Sequence, residues 1–409
     1  MSTMGPEGGA GGAGSAGGAG GAGGAGGAGG AGGAASYGGY GSPMVGDALI
    51  RNRDGIVGHW LGQTVCRPAR KLDNVANLNS WEPWVRGAVI DFELLSHVHF
   101  TSCQETFSHD AGQQTVSRTP SEPSVTIWHF DVRTTPADPS PRASFSPIAT
   151  FIRPSADVFK DQLDFLDQYS DLRDDRLAEI VTQLGPQYAF WSSVVNLHPD
   201  RTKKTLELLD AALRFANAVQ MRLKHALACW RPHELSSQVQ PVILTPGHGT
   251  FPSGHSTENH MIARILWELY GREPHIGEQL MRQAARISVN RTVAGVHFPI
   301  DTAAGQVLGL TLARYFILLA TGKTGMTFDA WRFDGERYPG RRDFDLRDFY
   351  NPATGLEMPN ADIDPPYLDK LTSVAPTASP IIAWLWKAAW REVNSEPYPN
   401  GKKVFDGDS

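Results

Sequence analysis

The chain has 409 residues, enough for one large domain or two ordinary ones, and its 41% hydrophobic and 20% charged content is that of a globular protein. A net charge of −6 excludes general nucleic-acid binding, which takes a basic surface, but allows a local basic pocket. Cys66, Cys103 and Cys229 are too few and too scattered for a disulfide framework or a CxxC metal pair, and read as free thiols near a core.

Residues 1–42 are expected to be a disordered Gly/Ala-rich tail, because its GGA repeats have almost no side chain to bury. Neither the basic start nor the apolar core of a secretory signal is expected there. Residues 43–154 alternate tryptophans, prolines and short β-rich pieces such as Val125–Trp128, and read as an irregular N-terminal region packed on a helical bundle. That bundle is expected over 155–325. Ser155 reads as the N-cap of a helix reaching about Leu184, stopped by Gly185-Pro186.

Leu206, Leu209, Leu213, Ala216, Val219 and Leu223 then recur at helical spacing, on a helix expected to end at Arg231 before Pro232. Further helices are expected from Ser256 to Tyr270, from Ile276 to about Asn290, and from Pro299 to Gly322. Residues 326–409 read as a loop-rich wrap with one short helix. The most apolar run, Gly309–Thr321, is shorter than the roughly 20 residues of a membrane span and contains Arg314. The fold class expected is therefore mainly α, a soluble and cytoplasmic helical bundle with no membrane span.

Three short blocks carry chemistry. In Lys224–Pro232, Lys224 and Arg231 are seven apart, which on one continuous helix would put both cations on one face. In Phe251–Ser256, a turn opens a helix, so backbone N–H groups and the positive dipole end suit an oxyanion. There Ser253 offers a hydroxyl, Gly254 permits close backbone approach, and His255 is a side chain that can move a proton near neutral pH. In Asn290–Asp301, Arg291 offers a planar fork of donors, and Asp301 lies four residues after His297, placed to fix its tautomer. Each block alone would pass as a solvated helix face, an ordinary N-cap or a structural histidine. His255 and His260 are five apart, not the four of a helical zinc pair.

Taken together, K-x6-R-P, P-S-G-H and R-x5-H-x3-D resemble the signature shared by type 2 phosphatidic-acid phosphatases, class A acid phosphatases and vanadium-dependent haloperoxidases. One position departs, Asn290 standing where the signature has Ser. The resemblance implies that Lys224, Arg231, Ser253, Gly254 and Arg291 bind the oxyanion, that His255 is the acid–base residue, and that Asp301 orients His297. His297 would be the ligand to the vanadium of vanadate in a haloperoxidase, or the nucleophile to phosphorus in a phosphatase. Length and the absence of an expected span favour the haloperoxidase branch, and His248, five residues before Ser253, resembles a halide-side residue for bromide or iodide. The implied cofactor is orthovanadate, with phosphate able to occupy the same site. The implied partners are hydrogen peroxide, halide and small organic acceptors, and a homo-oligomer is compatible with the chain. The alternatives are a soluble phosphatase working through a phosphohistidine at His297, and a catalytically silent oxyanion-binding module.

Overall fold

The computed structural model describes residues 43–60, 62, 71–102, 106–110, 113–117, 123–135, 138–185, 187–322, 327–351 and 365–394. The Gly/Ala tail, Cys66 and Cys103 lie outside them.

The region expected to be irregular is a helix-flanked sheet. Helix α1 (Pro43–Ile56) and α2 (Pro83–Ser96) precede β1 (Val98–Ser102), a two-stranded hairpin of β2 (Thr106–Asp110) and β3 (Gln113–Ser117), then β4 (Ser124–Thr135) and β5 (Asp138–Ile152). β4 and β5 pair antiparallel along most of their length and turn Val125, Ile127, Ile148 and Phe151 into the core. The prolines that suggest loops in the sequence include Pro147, which pairs with Trp128 beside a register shift, where a missing N–H is tolerated. The expected wrap also contributes strands. β6 (Phe328–Asp334) runs parallel to β5, with Ala149 opposite Trp331 and Ile152 opposite Asp334, and β7 (Leu368–Val374) pairs antiparallel with β6. The sheet order is β1-β4-β5-β6-β7, so the segments before and after the bundle share one sheet.

Between them lie the helices that position the site. The expected helix from Ser155 is two helices, α3 (Ala156–Ser170), capped by the Ser155 hydroxyl, and α4 (Arg173–Thr182). Their ends are drawn to different partners: Tyr169 donates to Asp343, whereas Arg173 donates to the carbonyls of Val239, Gln240 and Val293. A short α5 (Tyr188–Ser192) leads to α6 (Lys203–Leu227), which buries Leu209, Leu213, Ala216, Val219 and Leu223. α6 stops at Leu227, short of the expected Arg231, because Ala228 adopts a left-handed conformation (φ +47°) and its N–H closes on the Lys224 carbonyl. After the single turn α7 (Pro232–Leu235) come α8 (Gly254–Leu269), α9 (Pro274–Val293) and α10 (Pro299–Thr321), and the final α11 (Pro380–Asn394) packs on the bundle.

α10 is the central helix. At 23 residues it is long and apolar enough to cross a membrane, more than the Gly309–Thr321 run alone suggests, yet 94% of its most apolar stretch is enclosed by the rest of the fold. Gly305 and Gly309, one turn apart on α10, allow α8 to approach closely. A Cβ on Gly305 would lie 2.6 Å from Ser256 Cβ and 2.7 Å from the Ser253 carbonyl, and one on Gly309 would meet the Thr257 carbonyl.

Candidate active site

The three sequence blocks meet at one end of the bundle, where α8 and α10 begin and α6 and α9 end. The two starting helices are tied to each other: Ser253 N–H donates to the Asp301 carbonyl at 2.9 Å, and Ser256 Oγ donates to the Thr302 carbonyl at 2.7 Å. Ser253 caps α8, its hydroxyl oxygen accepting from Ser256 N–H. Gly254 and His255 therefore occupy the first helical positions, whose N–H groups have no acceptor within the helix. Two helix N-termini, together with Lys224, Arg231 and Arg291, all almost completely buried, make this end of the bundle electropositive.

Lys224 and Arg231 do not share a helix face, as the expected long helix would have required. Arg231 lies past the end of α6, in extended backbone that caps α7. The two cations meet instead on the segment 248–250, which folds back over the helix end as Thr250 N–H donates to the Cys229 carbonyl. Lys224 Nζ donates to the Gly249 and Thr250 carbonyls, both at 3.0 Å. Arg231 donates from Nε to the His248 carbonyl (3.1 Å) and from Nη1 to the Val296 carbonyl (2.7 Å). Gly249 fits because a Cβ there would lie 3.1 Å from the Lys224 carbonyl.

His297 is fixed from both sides of its ring. Nδ1 lies 3.1 Å from Asp301 Oδ2 and 3.1 Å from Thr250 Oγ1, and Thr250 Oγ1 donates to the same Asp301 oxygen at 2.5 Å. That oxygen also accepts from Phe298 N–H at 2.8 Å, so Asp301 caps the start of α10 while holding the ring. On the other side, His297 Nε2 lies 3.1 Å from Arg231 Nη1. A guanidinium only donates, so Nε2 carries the lone pair and Nδ1 the proton.

His255 and Arg291 belong to an adjoining set built on Gln183, at the end of α4. His255 Nε2 donates to the Gln183 carbonyl at 2.9 Å, which fixes the ring at the end of α4. Arg291 Nη2 donates to the Ile180 carbonyl (3.0 Å) and to Gln183 Oε1 (3.1 Å). Asn290, the departure from the signature, is embedded here too, bonded to Arg176, Glu179 and Gln183. The Arg286 ion pair, despite partial burial, and the Asn290 amide hold the Glu179 carboxyl below its ordinary range. The two sets touch through backbone, because Val296 N–H donates to the Arg291 carbonyl and its own carbonyl accepts from Arg231.

His248 is half-buried, its Nδ1 3.2 Å from Arg231 Nη2. Cys229 is the described cysteine nearest this chemistry, but burial, and then the charge of Asp301, push its thiol up to about 12, so it does not act as a thiolate. Thr250 and Gln183 are not singled out by the sequence. Neither residue type signals a site at those positions, and only the fold brings them to His297, His255 and Arg291.

Residues 208–324 match the family model of the PAP2 superfamily. This stretch is a PAP2 superfamily domain. It spans α6 to α10 and so contains every residue expected to bind or transform the oxyanion. The match reaches the superfamily and not a branch within it. The chain is also similar to a transmembrane PAP2-type phosphatidylglycerolphosphate phosphatase from Bacillus subtilis, known from its crystal structure, at 19% identity over 38% of this chain and 79% of that one, with a TM-score of 0.23. No curated protein matches the chain.

Proposed function

We propose that the PAP2 domain hydrolyses phosphate monoesters through a phosphohistidine at His297. The observation that carries this reading is the state of the His297 ring, with its Nδ1 proton held by Asp301 and its Nε2 lone pair facing the Arg231 guanidinium. Lys224, Arg231, Arg291, the Ser253 hydroxyl and the N–H groups opening α8 bind the phosphoryl oxygens, and charge grows on those oxygens in the transition state.

His297 Nε2 forms the new bond to phosphorus as the ester P–O bond breaks. His255 gives its Nδ1 proton to the departing alkoxide. Water then attacks the phosphohistidine and passes a proton back to His255, the P–N bond breaks, and inorganic phosphate leaves. A cavity of about 290 Å³ lined by Arg153, Phe159, Trp230, Leu235 and Glu336 adjoins this end of the bundle and suits the organic part of the ester. Phe159 packs on Phe298, the neighbour of His297, with ring centroids 5.0 Å apart. The enclosure of α10 supports a soluble enzyme.

A second reading, vanadate-dependent haloperoxidase, is favoured by His248, which stands five residues before Ser253 as a halide-side residue would and whose imidazole lies at Arg231. The donor set fits vanadate as it fits phosphate, since both are tetrahedral oxyanions. Lys224, Arg231, Ser253, Gly254 and Arg291 would hold vanadate, with His297 as its ligand. Bound vanadate would supply activation of hydrogen peroxide for oxidation of bromide or iodide, with small organic acceptors taking the halogen. In that reading His255 still moves the proton and the chain's other residues keep their places.

Purified protein given p-nitrophenyl phosphate without vanadate, and separately orthovanadate, peroxide, bromide and a phenol dye, decides between them. Hydrolysis in the first assay with no bromination in the second is the expected result. Bromination without hydrolysis would reverse the order of the two readings, and silence in both, with phosphate still bound, would leave a binding module.

A further inference from the structure

Gln183 is completely buried at the end of α4, where its carboxamide meets the site residue Arg291 and its backbone carbonyl meets the site residue His255. The orientation of that amide is set by its neighbours. Arg176 donates to Asn290 Oδ1 at 3.1 Å, and Glu179 accepts from Asn290 Nδ2 at 3.0 Å, so the Asn290 amide can face only one way. Asn290 Nδ2 then donates to Gln183 at 3.0 Å, and Arg291 Nη2 donates to the same Gln183 atom at 3.1 Å. An atom receiving two donors is the oxygen. The Gln183 NH2 group is therefore turned the other way, and among the described residues it meets no acceptor there. A buried donor left in this state is costly unless an acceptor arrives from outside the chain.

Resting on the oxyanion reading of the site, we infer that Gln183 is a further oxyanion-binding residue, its Nε2–H donating to an oxygen of the phosphoryl group that Arg291 grips. The planar carboxamide places this donor beside the Arg291 guanidinium, and the backbone carbonyl of the same residue fixes the His255 ring. One residue thus links an anion donor, the gripping arginine and the acid–base histidine. It lies outside the three sequence blocks and outside residues 208–324, so a helix preceding the PAP2 domain completes the pocket.

Inorganic phosphate and orthovanadate are titrated calorimetrically into the full chain, into Gln183→Met, which removes the amide, and into Gln183→Glu, which keeps an acceptor for Arg291 but replaces the donor with a charged oxygen. The expected result is a loss of phosphate affinity of about tenfold for Gln183→Met and a hundredfold or more for Gln183→Glu. In protein carrying 15N-labelled glutamine, the side-chain NH2 signal absent from Gln183→Met shifts downfield on saturation with phosphate. An unmoved signal, or a Gln183→Met variant that binds phosphate like the parent, overturns the inference and assigns the amide to an ordered water. A parent protein that binds neither anion overturns the oxyanion reading itself, and this inference with it.

Discussion

Thr250 and Asp301, 51 residues apart, share a 2.5 Å hydrogen bond, and both lie 3.1 Å from the same nitrogen of His297. The carboxylate thus receives the threonine hydroxyl, the imidazole N–H and the Phe298 amide on one oxygen, and the ring plane is fixed by two side chains rather than one. Thr250→Val keeps the shape and removes the hydroxyl. We expect kcat for phosphate-ester hydrolysis to fall by about 10- to 100-fold, with a destabilisation of about 1–3 kcal/mol for the lost buried hydrogen bonds. Steady-state kinetics with urea unfolding test it, and an unchanged kcat would show that Asp301 suffices to hold the ring.

On the proposed mechanism the two site histidines separate binding from proton transfer. His297→Ala removes the nitrogen facing Arg231 and should abolish both the phosphoenzyme and tight vanadate binding. His255→Ala should still bind the anion but lose about 100-fold or more in turnover, the usual contribution of a positioned acid–base group. Trapping with 32P-labelled substrate under acid-free conditions, alongside vanadate titration, reads both. Equal phosphoenzyme in His297→Ala and the parent would move the covalent role elsewhere.

Acid sensitivity should trace to His260. It is completely buried in α8 against the Ser256 carbonyl (2.8 Å) and the edge of Phe344, and burial lowers its pKa from 6.5 to about 4. Between these values the unfolded chain holds a proton that the folded protein does not. The contribution is therefore complete above pH 6.5 and is lost as pH falls towards 4, by about 3 kcal/mol in all. His260→Gln should flatten stability against pH across that window. Chemical denaturation of both proteins at pH 7, 5.5 and 4.5 measures it, and parallel curves would assign the acid response to other groups.

Gly305 lies beneath the first turn of α8. In Gly305→Ala the new methyl meets the Ser253 carbonyl, which is backbone and must shift. Overpacking of this kind costs about 1–3 kcal/mol, and here the displaced backbone is the turn proposed to bind the anion. We expect lower stability together with weaker phosphate binding, whereas Ala216→Gly on α6 should lose stability alone. Calorimetry of both variants distinguishes them, and full phosphate affinity in Gly305→Ala would mean that the turn is not held by α10.

The helical core is legible in the sequence because its signals are local. The three- and four-residue spacing along α6, the Gly271 and Gly322 stops, and the three blocks at the end of α6, the start of α8 and the α9–α10 junction are each short runs of neighbouring residues. The sheet is not, because its strands carry proline, and β6 and β7 lie far in sequence from the β5 they extend. The Lys224–Arg231 geometry departs from expectation for a related reason. Ala228 carries no sequence mark of a left-handed stop, which glycine would have provided. Thr250 and Gln183 give no signal of their own because their importance comes from partners 47 and 108 residues away.

The parallel pairing of β5 with β6 has a consequence for the family domain itself. These strands lie immediately outside the bundle, one before α3 and the other after α10, and they join hands across the molecule. The PAP2 domain is thus buckled into the chain like a stone in a clasp, with α3 and α4 inside the buckle. A fragment trimmed to residues 208–324 would leave behind the clasp, and Arg176, Glu179 and Gln183 with it. A longer fragment ending before β6 would bare an edge of β5 that invites strand pairing between molecules. The family match and the structural unit that surrounds it are therefore of different size in this protein, and only the larger one holds Gln183 beside Arg291.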